Sequence, residues 1–298
     1  MFPRPGKSRL HFGRRNVKES SIQWCDDTTN PVMGCALCEL WVPDHEPDPV
    51  RRCYAGILHD TRGKKNPGYA RHFEKPETFP GRVAEAARAA PLQGARRHYR
   101  PWLDGRPRHI FVSDMGDALS PQIKFEYLEC EVIDVVTSAA GSRHRWLWLT
   151  KRPPRMAEFS RWLEARGRLW PENLWAGTSI TSNQSYQRVV DLLKVGDKTT
   201  SRFLSVEPQS TEVDLSPWLP KLDWVIQGGE SGKQAEEFDL KWARDMRRAC
   251  KEAGVPYFLK QLGRIVVDGK KHVKLRDSRH GGDWSEWPKS LRVRQVPK

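Results

Sequence analysis

The feature that most constrains this chain is a series of six short apolar runs, each ending in polar, charged or glycine residues. They are His109–Ser113, Arg145–Thr150, Asn173–Ile180, Arg202–Val206, Trp224–Gly228 and Pro256–Gln261. All are rich in β-branched or aromatic residues and none alternates strictly. Strands buried on both faces read this way. Between them, apolar residues recur at helical spacing in Lys124–Ala139 (Phe125, Leu128, Val132, Val135, Val136), Tyr186–Lys194 and Leu240–Ala253. The last of these stops at Gly254-Val-Pro256, a helix terminator. Repeated alternation of strand and helix predicts an α/β chain with a partial parallel (β/α) barrel of about six strands.

The residues following each run suggest where chemistry would be built. Ser113-Asp-Met-Gly-Asp117, Thr150-Lys-Arg-Pro153, Thr178 to Asn183, Ser205-Val-Glu-Pro208, Gly228-Gly-Glu-Ser-Gly232 and Lys260-Gln-Leu-Gly263 all sit at strand C-termini. In βα barrels those ends converge on one mouth. Caps and turns also use Ser, Asp and Gly, but six polar strand ends in succession favour a shared site.

Three cysteines form the second signal. Cys35-Ala-Leu-Cys38 is a C-x2-C pair, with Cys53 fourteen residues further on. Three thiolates leave one position open on a tetrahedral centre, or one iron open on a [4Fe–4S] cluster. His59 offers an alternative, closing a structural Cys3His zinc site as C-x2-C-x14-C-x5-H. Cys25 is a possible additional ligand. Cys130 and Cys250 sit in helix-like patterns and read as core residues.

Charge divides the chain. Lys plus Arg is 51 and Asp plus Glu is 37, for a net of +14. Residues 1–20 carry +5, residues 62–108 carry +8 and residues 264–298 carry +6, which leaves a mildly acidic remainder. The expected organisation is a basic N-terminal extension (1–20), a βα barrel (21–263) with a basic insertion (62–108), and a tail (264–298) packing on the barrel. Basic extensions on an acidic core suit contact with nucleic acid, with Arg96, Arg97, Arg100, Arg106 and Arg108 as phosphate-binding candidates. Solvated surface explains the same charge. Trp41, Trp102, Trp284 and Trp287 are candidates for base stacking or for packing the tail. No apolar run approaches the roughly 20 residues needed to span a bilayer, and the N-terminus lacks a secretory apolar core, so a cytoplasmic chain is expected.

These segments also resemble a known group. Ile22 to Cys35 with Cys53-Tyr-Ala55, Phe111-Val-Ser-Asp-Met115, Leu149-Thr-Lys-Arg-Pro153, Arg202 to Pro208, Val225 to Gly232, Phe258-Leu-Lys-Gln261 and Gly281 to Pro288 are similar to an uncharacterised family of phage and bacterial proteins. That family is distantly similar to radical S-adenosylmethionine (SAM) enzymes, most of all to spore photoproduct lyase. The resemblance implies a partial βα barrel, a [4Fe–4S] cluster and SAM. With Cys35, Cys38 and Cys53 as cluster ligands, the three cysteines, the strand ends and the basic extensions together suggest a 5′-deoxyadenosyl radical used for nucleic-acid repair or modification. Two alternatives are a zinc-bearing nucleic-acid binding module and a radical enzyme with a small-molecule or protein substrate. The cysteine spacing departs from the usual C-x3-C-x2-C, and the Gly-Gly-Glu motif falls later in the chain than in most radical SAM enzymes.

Acceptors for the cofactor's amino group would be Asp114, Asp117, Glu207 or Glu230, and cations for its carboxylate Lys151, Arg152 or Lys260. Gly228 and Gly229 would permit close approach, beside Ser113 and Ser231. An electron donor of flavodoxin or ferredoxin type is the expected partner.

Overall fold

The computed structural model describes residues 18–42, 46–63 and 65–298. Most of the predicted basic N-terminal extension therefore lies outside the described residues. Eight strands form the main sheet: β1 (Lys18–Glu19), β2 (Asp27–Thr29), β3 (Arg108–Val112), β4 (His144–Thr150), β5 (Leu174–Ser179), β6 (Arg202–Val206), β7 (Trp224–Gly228) and β8 (Tyr257–Gln261). Their spatial order is their chain order. From β2 to β8 every neighbouring pair is parallel, and β1 alone runs antiparallel, against β2. The result is a curled half-barrel of seven parallel strands. All six apolar runs are strands, and a seventh parallel strand, β2, precedes them.

Period-two alternation sorts the strand residues onto two faces. Ile110, Val112, Trp146, Trp148, Leu174, Ala176, Leu204, Val225 and Leu259 face outward into a core shared with the helices. Those helices include Arg82–Ala87, Pro153–Glu164, Gln187–Leu192 and Leu240–Glu252. The expected helix at Lys124–Ala139 is helical from Phe125 to Thr137, with a wider π turn at Glu129–Ile133. Cys130 lies on its exposed side, which corrects its assignment to the core; Cys250 is buried as expected.

Phe111, Leu147, Trp175, Phe203, Trp224, Ile226 and Phe258 face inward, where Trp24 and Cys25 join them. Trp24 stands edge-on to Trp224 and 4.7 Å from the Phe111 ring. This aromatic floor fills the lower part of the half-barrel.

The tail runs along the free edge of β8: Leu259 N donates to Val293 O at 2.9 Å and Gln295 N to Tyr257 O at 2.9 Å. Arg294 sits among the rings of Trp102, Phe258, Trp284 and Trp287, 4.4 Å from the nearest centroid. Burial pulls its guanidinium down to about 10. Trp102, Trp284 and Trp287 are therefore packing residues, and so is Trp41, which is buried with its Nε1 on Glu74.

Candidate functional site

The cysteine loop starts where β2 ends, so it emerges at the C-terminal edge of the parallel sheet. Gly34 anchors it. Its φ is +86°, its amide donates to Met115 O at 3.3 Å, and its carbonyl accepts from Asp117 N at 3.2 Å. A Cβ on Gly116 would lie 2.5 Å from the Gly34 carbonyl, so the loops after β2 and β3 touch only because both residues are glycine.

Cys35 N donates to Phe73 O at 2.7 Å, and Cys53 N donates to Leu40 O at 2.8 Å as the residue before helix Tyr54–Leu58. Cys35 and Cys53 pack against a small cluster that includes Met33, Trp41, Phe73 and Met115. All three thiols are partly buried and free. Burial first, then Asp117, Cys38 and other charges, pushes the Cys35 thiol up; burial also raises Cys38, opposed chiefly by Lys151, with Cys53 a smaller raising charge. The three thiols thus lie within electrostatic range of one another, and Cys35 and Cys38 form thiolates only with a cation to bind.

Arginines pin this loop across the mouth. Arg152, after β4, donates to the carbonyls of Ala36 and Leu37, the latter at 2.7 Å. Arg188, on the helix after β5, grips Glu39 with two bonds of 2.8 and 2.7 Å. Burial alone would raise the Glu39 carboxyl, but Arg188 and Lys151 outweigh it and pull it down to about 2. Arg52 reaches Glu230, after β7, through both Nε (3.0 Å) and Nη2, and pairs with Glu236 as well.

These latches reassign several candidates. Glu230 is buried, and its oxygens are held by Arg52 and the Glu236 amide at 3.0 Å. It faces the cysteine loop, and both of its oxygens already accept hydrogen bonds. Asp117 is likewise occupied, accepting from Thr150 Oγ1 (2.8 and 2.9 Å), Leu119 N (3.0 Å) and Lys151 N (3.2 Å). A Cβ on Gly229 would lie 2.2 Å from Leu262 O, so this glycine serves chain packing. Ser231 is partly exposed beyond β7.

Other candidates do converge. Continued alternation puts Lys151, Ser205, Glu207, Gly228 and Lys260 on the inward face above the aromatic floor. Lys260 Nζ pairs with Glu207 Oε2 at 2.6 Å, and Ser205 Oγ donates to Glu207 Oε1 at 3.3 Å. A Cβ on Gly228 would stand 3.1 Å from Glu207 Oε2. Asp114 holds Asn30 Nδ2 at 2.5 Å and receives the Tyr54 hydroxyl at 3.2 Å. Ser113 is buried, and its hydroxyl has no partner among the described residues. Glu39, Arg188 and Asn30 were not legible as site residues. The one available hint was that Glu39 and Arg52 directly adjoin Cys38 and Cys53.

The zinc alternative and the phosphate-binding arginines fare differently. His59 is buried, with Nε2 2.8 Å from Ala70 O and its ring beside Phe73 and Tyr69. Among the described residues no group of three or more His, Cys, Asp or Glu side chains is placed to hold a metal ion, the three cysteines included. The basic insertion splits in two. Tyr69, Ala70 and Phe73 pack beside the cysteine loop, but residues 95–108 lie at the opposite end of the half-barrel, where β2 and β3 begin.

There Arg97 is buried against Asp26 (2.7 and 3.2 Å) and the carbonyls of Arg106 and Pro107. Arg108 pairs with Asp27, Arg100 donates to Ser20 O, and Arg106 reaches Val296 O at 3.4 Å. These four staple the chain and form no groove beside the mouth. Arg96 is exposed.

The chain belongs to a family described as protein of unknown function (DUF5131), whose model matches residues 19–288. No curated protein and no solved structure matches it. No helix among the described residues is long and apolar enough to cross a membrane.

Proposed function

We propose that this family member is a radical SAM enzyme whose Cys35, Cys38 and Cys53 hold a [4Fe–4S] cluster. One observation carries the reading: all three thiols lie on a single loop, rooted at the C-terminal end of the first parallel strand and latched across the mouth of an open half-barrel. The donor set fits. A single zinc would draw three thiolates to within about 4 Å of one another, whereas cluster ligands bind separate irons and stand wider apart. The three thiols bear on one another's charge, which is the proximity a shared cluster asks of its ligands.

When bound, the cluster and SAM would supply reductive S–C bond cleavage and hydrogen-atom abstraction. The chain's own residues do the rest. Arg152, Arg188 and Arg52 hold the ligand loop in position. Lys151, whose charge bears on Glu39 and Cys38, offers an ammonium to a carboxylate, and Ser113 offers a hydroxyl unpartnered among the described residues. Glu207 and Asp114, each already engaged by fewer side-chain and backbone donors than Asp117 and Glu230, are the acceptors for an amino group. The aromatic floor closes the chamber below and keeps water from that side.

Anaerobically purified protein should be brown, with broad absorbance near ~400 nm, and should release 5′-deoxyadenosine from SAM once reduced. Cys35→Ala, Cys38→Ala and Cys53→Ala should each remove that absorbance, while Cys130→Ala and Cys250→Ala keep it. Colourless protein carrying one stoichiometric zinc would end the proposal. Nucleic acid as the substrate now rests on the net charge of +14, because four of the five candidate arginines hold the fold together. A salt titration of DNA and RNA binding tests it, since phosphate contacts give a steep salt dependence.

A further inference from the structure

The tail builds a basic surface beside the mouth. After β8 the chain leaves the sheet at Gly263 and Arg264. Leu262 N donates to Gly281 O at 3.0 Å, Gly263 N to His280 O at 3.0 Å and Arg264 N to Glu230 O at 2.8 Å. Glu230 is the carboxylate that Arg52 latches, so this stretch borders the anchor of the cysteine loop. From there Ile265–Asp268 turns back into Lys271–Val273, one edge of a three-stranded sheet whose other edge is Glu237–Asp239.

Val273 and Leu275 pack against the main core, so alternation turns His272, Lys274 and Arg276 to solvent, at steps of ~6.6 Å along an extended chain. Lys270 is exposed at the hairpin tip. Asp277 accepts the amides of Arg279 (3.4 Å), His280 (3.3 Å) and Gly282 (2.8 Å), closing a turn that leaves Arg279 and His280 exposed. Residues 264–280 hold six Lys or Arg and two Asp. Both carboxylates are used, Asp268 by Arg244 at 2.7 Å and Asp277 by its turn. Arg276 pairs with Glu286, whereas Arg264, Lys270, Lys274 and Arg279 have no ion pair among the described residues. Lysines on an edge strand also deter strand pairing, but that does not account for Arg264 and Arg279, which lie off the strand.

What would cover this surface follows from what it lacks. The exposed large apolar side chains among the described residues are Tyr54, Ile57, Tyr99, Leu169 and Val190, none of them within 264–280. A protein interface asks for apolar anchors at its core, and a bilayer surface for an apolar face to bury. Phosphodiester binding asks for neither, since spaced cations suffice. We propose that residues 264–280 dock the backbone of a nucleic acid, with Arg264, Lys270, Lys274 and Arg279 on its phosphates. The docked strand lies at the rim of the half-barrel, beside the mouth. Delivery of a substrate to that mouth rests on the radical chemistry proposed above; the binding itself does not.

The test is fluorescence anisotropy of a labelled single-stranded DNA oligonucleotide with the full chain, repeated across a salt series. Lys270→Gln, Lys274→Gln and Arg279→Gln together should weaken binding at low salt by roughly 10-fold or more. They should also lower the log–log salt slope by about 2, at roughly 0.7 per phosphate. Lys198→Gln, Lys221→Gln and Lys251→Gln make the same charge change ahead of β6, β7 and β8. This control should weaken binding by less than about 3-fold, because charges beyond a Debye length are screened. All six side chains are exposed, so both triple variants should keep the wild-type Tm. Absence of binding at low salt, equal losses in the two triple variants, or binding of phosphatidylserine vesicles without the oligonucleotide would overturn the surface. Oligonucleotide binding that the first triple variant alone weakens, in protein that takes up no cluster, would uphold the surface and sink only the enzyme reading.

Discussion

The two ends of the half-barrel are both rich in arginine, yet arginine does different work at each. At the N-terminal end, Arg97 is buried with Asp26 and ties together the starts of β2 and β3. At the mouth, Arg52, Arg152 and Arg188 are partly exposed and hold one loop, that of the three cysteines, to the ends of three different strands. Charge counts do not distinguish the two roles. Burial and partner identity do, because a guanidinium far from water must be matched while one at a rim need not be.

The largest expected effect lies at the closed end. Arg97→Ala should cost about 3–5 kcal/mol in urea unfolding by stranding a buried Asp26. Replacing both partners, Arg97→Met with Asp26→Leu, should recover much of it. A loss below about 1 kcal/mol for the single change would make the two ends alike. At the mouth, Glu230→Gln should cost less, about 1.5–3 kcal/mol. Its signature is local: faster hydrogen exchange in residues 46–53, with β3 to β6 unaffected. Uniformly faster exchange would mean that the latch belongs to the global fold.

Acid separates the ends by window. The folded pKa of His109 lies well below 6.5, lowered by burial and by Arg145, Arg97 and Arg106; the nearby Asp26 carboxylate is taken by Arg97 and the His109 backbone amide. The unfolded chain therefore takes up this proton first. Stability should fall as pH drops below about 6.5, by at most about 1.4 kcal/mol per pH unit. Glu39 has the opposite polarity of charge but the same direction. Its contribution is complete above pH 4.5 and disappears as pH falls toward about 2. Because its carboxylate is more than a third exposed, that step is the smaller. His109→Asn should remove the upper step and Glu39→Gln the lower; a single acid transition insensitive to both would refute the assignment. The smallest effect is Arg96→Ala, expected within about 0.5 kcal/mol of wild type.

The six long strands were legible because each is an apolar run of at least five residues bounded by turn chemistry. β2 was not, since Asp27-Thr-Thr29 is three residues long and polar. Without it the cysteines read as lying ahead of the sheet, when in fact they hang from its C-terminal edge. The π turn at Glu129–Ile133 was hidden for a related reason: it keeps a nearly helical apolar spacing while turning Cys130 outward.

Sequence alone determined the number of parallel strands in the main sheet to within one, the parallel architecture and the convergence of polar strand ends, because these follow from local periodicity and chain order. Tertiary structure alone decided what each charged residue at the mouth is paired with. Glu230 and Asp117 look no different in sequence from Glu207 and Asp114. Yet the first two are filled by Arg52 and Thr150, which are 178 and 33 residues away. The same holds for Arg97, whose partner Asp26 is 71 residues away and becomes its neighbour only when β2 pairs with β3. Such pairings cost loop-closure entropy that only the assembled sheet offsets, so no window of sequence contains them.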